Sequence, residues 1–176
     1  MRQSVGSVMA LVCVCVQLFW HDRAISQDRS EVVSTGIIFS VAQTTATAEW
    51  MAGLDMPPPY WAPGSSEIAG LESKLAGFLR QVTVAPADEV MGPGYGRRKA
   101  GEIADKLARY KRQYLGYTVN GKKWILVNGF CEHGAGVEKY WREHFVSVAD
   151  GGECFFSVRY DTSDSHFEQL EINPEA

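Results

Sequence analysis

Two cysteines and two histidines in the C-terminal half carry the side chains that a metal site or a nucleophile would need. Cys131, His133, His144 and Cys154 offer two sulfur and two imidazole ligands, which is chemically sufficient for tetrahedral zinc. Their spacings are not those of a compact zinc knuckle. The two cysteines also form an even pair, which in an oxidising compartment favours a disulfide. We therefore predict a Cys131–Cys154 disulfide, no metal and no cofactor, with the zinc site as the alternative.

Carboxylates are abundant around these residues, but no pair is marked by its context as a catalytic acid and base. The candidates are Glu132, Glu138, Glu143, Asp150 and Asp161. Asp150 precedes two glycines and Asp161 precedes a threonine, and aspartate in such places bonds the backbone of a turn. A non-enzymatic protein is therefore favoured. A small periplasmic enzyme or zinc protein that uses His133, His144 and nearby carboxylates is the alternative.

A glycine-rich segment at 92–96 is followed by Arg97, Arg98 and Lys99 and leads into a predicted helix. Backbone N–H groups and basic side chains at a helix start can hold an anion. Here no predicted strand precedes the segment, the spacing of a phosphate loop is absent, and Pro93 removes a donor. A solvated loop is the favoured interpretation.

The elements that must position these residues begin with a β-hairpin. Runs of aromatic and β-branched residues at 112–119 and 123–130 flank Asn120-Gly121, a pair suited to a type I′ turn because both central residues need positive φ. A two-residue loop fixes the register. The predicted pairs are Val119 with Lys122, Tyr117 with Trp124, Gly116 with Ile125, Leu115 with Leu126, and Tyr114 with Val127. Residues 145–149 and 154–160 predict two further strands around a turn at 150–153.

Apolar residues at helical spacing predict helices at 67–80, 101–110 and 137–145. The first has the widest apolar stripe, formed by Ile68, Leu71, Leu75, Phe78 and Leu79, with Ser66 as its N-cap. His144 would lie on the apolar face of the short third helix. The fold class that follows is α+β: an antiparallel sheet of about five strands in residues 112–173, covered by the helix at 67–80, with two further short helices.

Residues 1–26 have the features of a signal peptide: Arg2, an apolar run at 8–20 and the small-residue site Ala24-Ile25-Ser26. Ala46-Thr47-Ala48 offers an alternative cleavage site. The apolar run is shorter than the roughly 20 residues of a membrane-spanning helix. We expect an exported protein, periplasmic or secreted, with no stable membrane span after processing.

Residues 27–56 are rich in Ser, Thr, Ala and Gln, which predicts a flexible lead-in before a single α+β domain at 57–176. That domain starts with a proline-rich strap in which Tyr60 and Trp61 are expected to pack on the domain. A sheet face or the strap is also the surface that we expect to bind a partner, through Tyr60, Trp61, Tyr117 and Trp124. The net charge of −4 argues against nucleic acid as that partner.

Several motifs resemble a group of small, uncharacterised bacterial exported proteins. They are Tyr60-Trp61-Ala62-Pro63, the segments 68–72, 110–116, 120–122 and 128–131, Trp141, and a C-terminal segment of the form DGG-x-CFF-x-V-x-YD at 150–161. The ending at 167–176 is similar too, except that Pro174 stands where glycine is expected. The resemblance implies export and the cysteine pair, and it brings no activity or catalytic residue. We therefore predict an exported non-enzymatic binding or structural module whose partner is a protein or another envelope component.

Overall fold

The computed structural model describes residues 30–83, 85–131 and 140–175 and shows an α+β fold. The predicted signal peptide at 1–26 lies outside the described residues. The strands are β1 (Glu31–Val33), β2 (Gly36–Ile38), β3 (Tyr110–Val119), β4 (Lys122–Cys131), β5 (Phe155–Asp161) and β6 (His166–Ile172). The helices are α1 (Val41–Trp50), α2 (Ser65–Gln81), α3 (Ala87–Met91) and α4 (Tyr95–Lys106), with short 3₁₀ turns at 52–54, 107–109 and 152–154.

The predicted hairpin is present as β3 and β4, with every predicted residue pair in register. Asn120 and Gly121 form its turn with φ angles of 49° and 78°, as a type I′ turn requires. β5 pairs with β4 and β6 pairs with β5, both antiparallel. The C-terminal half is therefore the meander that the alternation of side chains predicts.

Two predictions about the sheet are corrected. The described sheet has six strands, roughly the predicted number, but two of them lie at 31–38, and the sheet is mixed because β2 pairs with β3 in parallel. Residues 145–149 form no strand. Instead, side-chain amides of β3 and β4 hydrogen-bond the backbone at Val146 and hold this segment over the sheet. Alternating apolar residues can pack on a core from a loop as well as from a strand, so the pattern alone did not distinguish the two.

Residues 30–56 also differ from the expected flexible lead-in, since they contain β1, β2 and α1. Ile37, Ile38 and Phe39 are at most 2% exposed, so this segment completes the core. Ser40 and Gln43 form a capping box at the start of α1. The hydroxyl groups of Thr45 and Thr47 donate to backbone carbonyls four residues earlier in the helix. The polar composition therefore caps and lines a helix.

Both faces of the sheet are covered. On one face, which we call the helix face, α2 and α4 pack on the even-numbered residues of β3 and the odd-numbered residues of β4. Its buried residues include Ile68, Leu71, Leu75, Leu79, Ile103, Tyr114, Ile125 and Val127. The other face, which we call the strap face, is covered by α1, the strap at 52–60 and residues 141–146. The side chain of Trp61, which follows the strap, packs on the helix face. Helix α2 spans the predicted 67–80, and its first turn is capped by the Glu67 carboxylate on the Gly64 N–H rather than by Ser66.

A buried ion pair ties α2 to β3 on the helix face. The Arg112 guanidinium lies 2.9 Å from the Glu72 carboxylate, and their side chains are 3% and 14% exposed. Arg112 also donates to the carbonyls of Leu107 and Tyr110, and the Tyr114 hydroxyl donates to Glu72 at 2.9 Å. Burial raises the pKa of Tyr114 above its usual value, which keeps the hydroxyl protonated as a donor. Every guanidinium nitrogen of Arg112 and both carboxylate oxygens of Glu72 thus have a partner.

Removing one member of this pair is expected to be costly. Glu72→Gln should lower the free energy of unfolding by about 3–5 kcal/mol, because it leaves the Arg112 charge buried without its partner. The control is Asp105→Asn, which removes the exposed pair between Arg80 and Asp105 (side chains 55% and 72% exposed) and should cost about 1 kcal/mol or less. Urea unfolding of both variants checks this prediction through the midpoint at constant slope. Equal losses in the two variants would contradict it.

Candidate functional site

The two cysteines are joined, as predicted. Cys131, at the end of β4, and Cys154, just before β5, form a disulfide with their Cα atoms 4.9 Å apart. Neither sulfur is then available as a zinc ligand or a nucleophile. His133 lies outside the described residues, as do Glu132 and Glu138. Of the four residues of the alternative zinc site, His144 is therefore the only one that is both described and outside the disulfide.

His144 is not packed in an apolar face, contrary to the expectation for it. Residues 140–143 form a turn rather than the end of a helix, and His144 is exposed next to the ring of Tyr140, with ring centroids 6.4 Å apart. Within the described residues, no carboxylate hydrogen-bonds to the His144 ring. The arrangement lacks the second group that usually orients a histidine as a general base.

The glycine-rich segment at 92–96 is filled by a carboxylate of the chain itself. Asp88 of α3 accepts a hydrogen bond from the Gly96 N–H at 2.7 Å and another from the Ala85 N–H at 3.2 Å. The hydrogen bond from the Gly96 N–H, more than the others, holds the pKa of Asp88 below its usual value. The nearby Lys99 pairs with Glu102, Glu153 and Glu175. The backbone N–H of Gly96 and the Lys99 ammonium are therefore already bound by carboxylates of the chain, and the segment at 92–96 offers no open anion site.

The carboxylate Asp161 is a turn residue, as predicted. Its Oδ1 accepts from the backbone N–H groups of Ser163 and Asp164, while the Lys122 ammonium lies 3.5 Å from its Oδ2. Burial opposes ionisation of Asp161, but these backbone hydrogen bonds and Lys122 outweigh it and lower the pKa. Asp164 and His166 have side-chain atoms near those of Asp161 that could ligate a metal ion. The Lys122 ammonium already supplies positive charge next to these carboxylates.

The aromatic residues proposed for partner binding are divided between core and surface. Trp61 and Tyr117 are 7% and 1% exposed, and the Trp61 indole donates to the Tyr117 carbonyl at 2.9 Å. Trp61 also pairs with Gly116 through a β-bridge. Tyr60 and Trp124 are half-buried. Trp61 and Tyr117 thus hold the strap on β3, and a partner could reach only parts of the other two.

An open cleft lies elsewhere, between α1 and the turn at 140–145. We call it the α1 cleft. Its volume is about 590 Å³, and it is lined by Ala42, Gln43, Ala46, Thr47 and Trp50 of α1 and by Glu143, His144 and Phe145. Trp50 is 68% exposed, although it is the largest apolar side chain on the helix. A second cavity of about 170 Å³ shares Phe145 with it.

The first wall of the cleft is fixed by the way α1 begins. The chain leaves the buried strand β2, and the Ser40 side chain accepts from the Gln43 N–H while the Gln43 side chain accepts from the Ser40 N–H. The Gln43 amide then donates across the cleft floor to the carbonyls of Arg142 and Glu143, at 3.2 and 3.4 Å. One glutamine therefore both caps the helix and joins the two walls.

The second wall is held from below by two buried amides of the sheet. Gln113 donates to the carbonyls of Trp141 and His144, at 2.5 and 2.7 Å, and its oxygen accepts from the Val146 N–H. Asn128 donates to the Gln113 oxygen and to the Val146 carbonyl. Gln113 is fully buried. These bonds satisfy the whole Gln113 amide and set the height of residues 141–146 above the strap face.

Sequence reasoning missed half of this site. It placed Trp50 and the rest of α1 in a flexible segment, and it considered His144 as a metal ligand, a catalytic residue or a packed residue. A signal was present: Ser40-x-x-Gln43 is a capping box, and it directly follows the apolar run Gly36-Ile-Ile-Phe39. The pairing of Gln113 with Asn128 had no such local signal.

Comparison with known proteins gives no match to a family model, a curated protein or a solved structure. Within the described residues, no helix has the length and apolar character needed to cross a membrane. The geometry of the α1 cleft therefore carries the functional argument by itself.

Proposed function

We propose that this chain is an exported, non-enzymatic binding module and that its ligand site is the α1 cleft. The observation that carries the proposal is the open cleft of about 590 Å³ with the exposed indole of Trp50 at its wall. Ligand sites of folded proteins fall in the range of roughly 300–1,000 Å³ and combine an apolar lining with a few polar groups. The α1 cleft has both properties.

The side chains of the cleft indicate the kind of ligand. Trp50, Phe145 and two alanines provide apolar surface, and the Gln43 amide is already committed to the turn. Apolar surface that is exposed to water has a free-energy cost, and a bound apolar group removes that cost by covering the surface. The ligand we propose is an amphipathic molecule, or a segment of an envelope component, with an aromatic or aliphatic body. Glu143 and His144 are the polar residues next to it.

Export forms part of the same proposal. The Cys131–Cys154 disulfide is typical of proteins that leave the cytoplasm. We also propose that the chain belongs to the group of small bacterial exported proteins that its motifs resemble, with residues 1–26 as the signal peptide. The non-enzymatic reading is supported by the joined cysteines and by the lack of an orienting carboxylate at His144 within the described residues.

The function is tested with a variant that fills the cleft. Ala46 lines the cleft and is exposed, so Ala46→Phe should place a ring in the cleft without disturbing the core. The full chain is expressed in an exporting host and titrated with 1-naphthol, indole or decanol. The side-chain N–H signals of the protein's tryptophans are followed by NMR. We expect saturable shifts of the Trp50 signal, assigned with Trp50→Phe. In Ala46→Phe the Kd for 1-naphthol should rise by about tenfold or more.

The matched control is Val90→Phe. Val90 is 78% exposed on α3 and lines neither cavity, so this variant adds the same ring at a distant surface position. Its Kd for 1-naphthol should equal that of the parent protein. Unchanged binding by Ala46→Phe would show that the probe sits elsewhere. The absence of saturable shifts with all three probes would refute the α1 cleft as a binding site.

A further inference from the structure

Two of the polar residues that line the α1 cleft have their hydrogen atoms committed within the chain. The Gln43 amide donates to the carbonyls of Arg142 and Glu143 across the cleft. The Thr47 hydroxyl donates to the Gln43 carbonyl at 2.8 Å. Neither side chain can donate to a ligand without breaking one of these bonds. The polar groups that remain in the lining are the Glu143 carboxylate and the His144 ring.

The Glu143 carboxylate gives the cleft its charge. The side chain is exposed, and no hydrogen bond or ion pair joins its carboxylate to another described residue. The described lining contains no other acidic residue and no lysine or arginine. Arg142, the cation next to it in the chain, lies with its guanidinium over the Trp141 ring, 5.1 Å from the centroid, and is not part of the lining. The cleft therefore has one negative charge without a counter-charge in its described lining.

The position of Glu143 is fixed by its backbone. Its N–H donates to the Tyr140 carbonyl at 2.9 Å, and its own carbonyl accepts from Gln43. The next residue, His144, is held in the same way between Tyr140 and the buried Gln113. The turn therefore keeps the carboxylate at the cleft and leaves its oxygens open to a ligand.

The opposite wall offers an aromatic ring. Trp50 of α1 lines the cleft and is 68% exposed. The face of an indole carries the negative part of the ring quadrupole, and it attracts cations more strongly than the rings of tyrosine or phenylalanine do. A cationic group on an apolar body therefore finds an attractive partner on each wall.

We propose that the α1 cleft selects a small amphipathic amine, that is, a primary ammonium group joined to an aromatic or aliphatic body. This inference rests on the proposed function and specifies the class of its ligand. The body covers Trp50 and Phe145, and the ammonium group binds the Glu143 carboxylate. An anionic ligand of the same shape is repelled by that carboxylate.

The experiment compares three ligands that share one ring system and differ in charge: 1-naphthylmethylamine, 1-naphthylmethanol and 1-naphthylacetate. Their Kd values for the full chain are measured at neutral pH and low salt from the Trp50 indole signal. We expect the amine to bind about two- to fivefold more tightly than the alcohol, which is the range of an exposed ion pair, and the acid to bind more weakly than the alcohol. High salt should bring the three values together, because it screens exposed charges.

A charge-removing variant identifies the group responsible. Glu143→Gln keeps the size of the side chain and removes its charge, so the amine and the alcohol should bind alike. The matched control is Glu49→Gln, which removes the same charge from an exposed residue next to Trp50 that is not part of the lining. That variant should keep the preference for the amine.

The outcomes separate this inference from the proposed function. Equal Kd values for the amine and the alcohol in the parent protein would overturn the inference and leave the cleft as a site for uncharged apolar groups. A preference that survives Glu143→Gln would overturn it too. A lysine side chain offers the same ammonium group, so tighter binding of acetyl-phenylalanyl-lysine amide than of the naphthyl amine would replace the small amine by a peptide segment. If no probe binds, the proposed function itself fails.

Discussion

A chain that begins at Gln27 is expected to fold, whereas a chain that begins at Glu49 is expected to stay unfolded. The shorter chain lacks β1, β2 and most of α1, and with them Ile37, Ile38 and Phe39, which are at most 2% exposed. Burial of such a side chain contributes about 1.5–3 kcal/mol, so the loss is roughly 5–9 kcal/mol. The whole stability of a domain is only about 5–15 kcal/mol.

The truncation also uncovers the backbone of β3. Residues 36–38 pair in parallel with residues 112–114, and without them that strand becomes an exposed edge prone to association. Circular dichroism and thermal melting of the two chains check the prediction. A cooperative melt of the chain that begins at Glu49 would contradict it.

The two predicted cleavage sites of the proposed signal peptide differ in what their use would remove from the fold. Cleavage after Ala48 would cut within α1, next to the buried Thr47, and would remove one wall of the α1 cleft. Cleavage after Ser26 leaves every described element in place. We therefore propose a mature chain that starts at Gln27, and intact-mass measurement of the exported protein would show it.

What the sequence predicted well was local. The hairpin of β3 and β4 depends on Asn120-Gly121 and on residues that alternate beside it, so the turn chemistry fixes the register without help from distant parts of the chain. The stripe of α2 is equally local, because residues three and four apart share a face of a helix. The disulfide was predicted from the count of cysteines and from the expected export of the chain.

What it missed depends on contacts across long separations. Ile37 is placed opposite Gln113 by parallel pairing, a relation that no local pattern encodes. The stretch at 145–149 alternates like a strand but is held by Gln113 and Asn128 as a loop. The α1 cleft forms where these two misread segments meet. The sequence therefore did not predict its residues as a site, apart from His144 and Glu143, which were considered for other chemistry.

The largest effect of a single substitution is expected at Leu75 of α2. Its side chain is fully buried among the residues of the helix face. Leu75→Asp removes that apolar contact, which for Leu→Ala changes is worth about 2–5 kcal/mol. It also buries a carboxylate that has no partner there, at a cost of several kcal/mol more. The sum approaches or exceeds the stability of the domain, so the variant should fail to fold.

Two further variants make the test quantitative. Leu75→Ala should fold with a free energy of unfolding lower by about 2–5 kcal/mol, because it loses packing without adding a charge. Ser73→Asp introduces the same carboxylate two residues earlier on the exposed side of α2 and should cost about 1 kcal/mol or less. Thermal melting followed by circular dichroism ranks the three. If Leu75→Asp kept the parent midpoint, α2 would not pack on the sheet in solution, and the helix face would have to be assigned to another element.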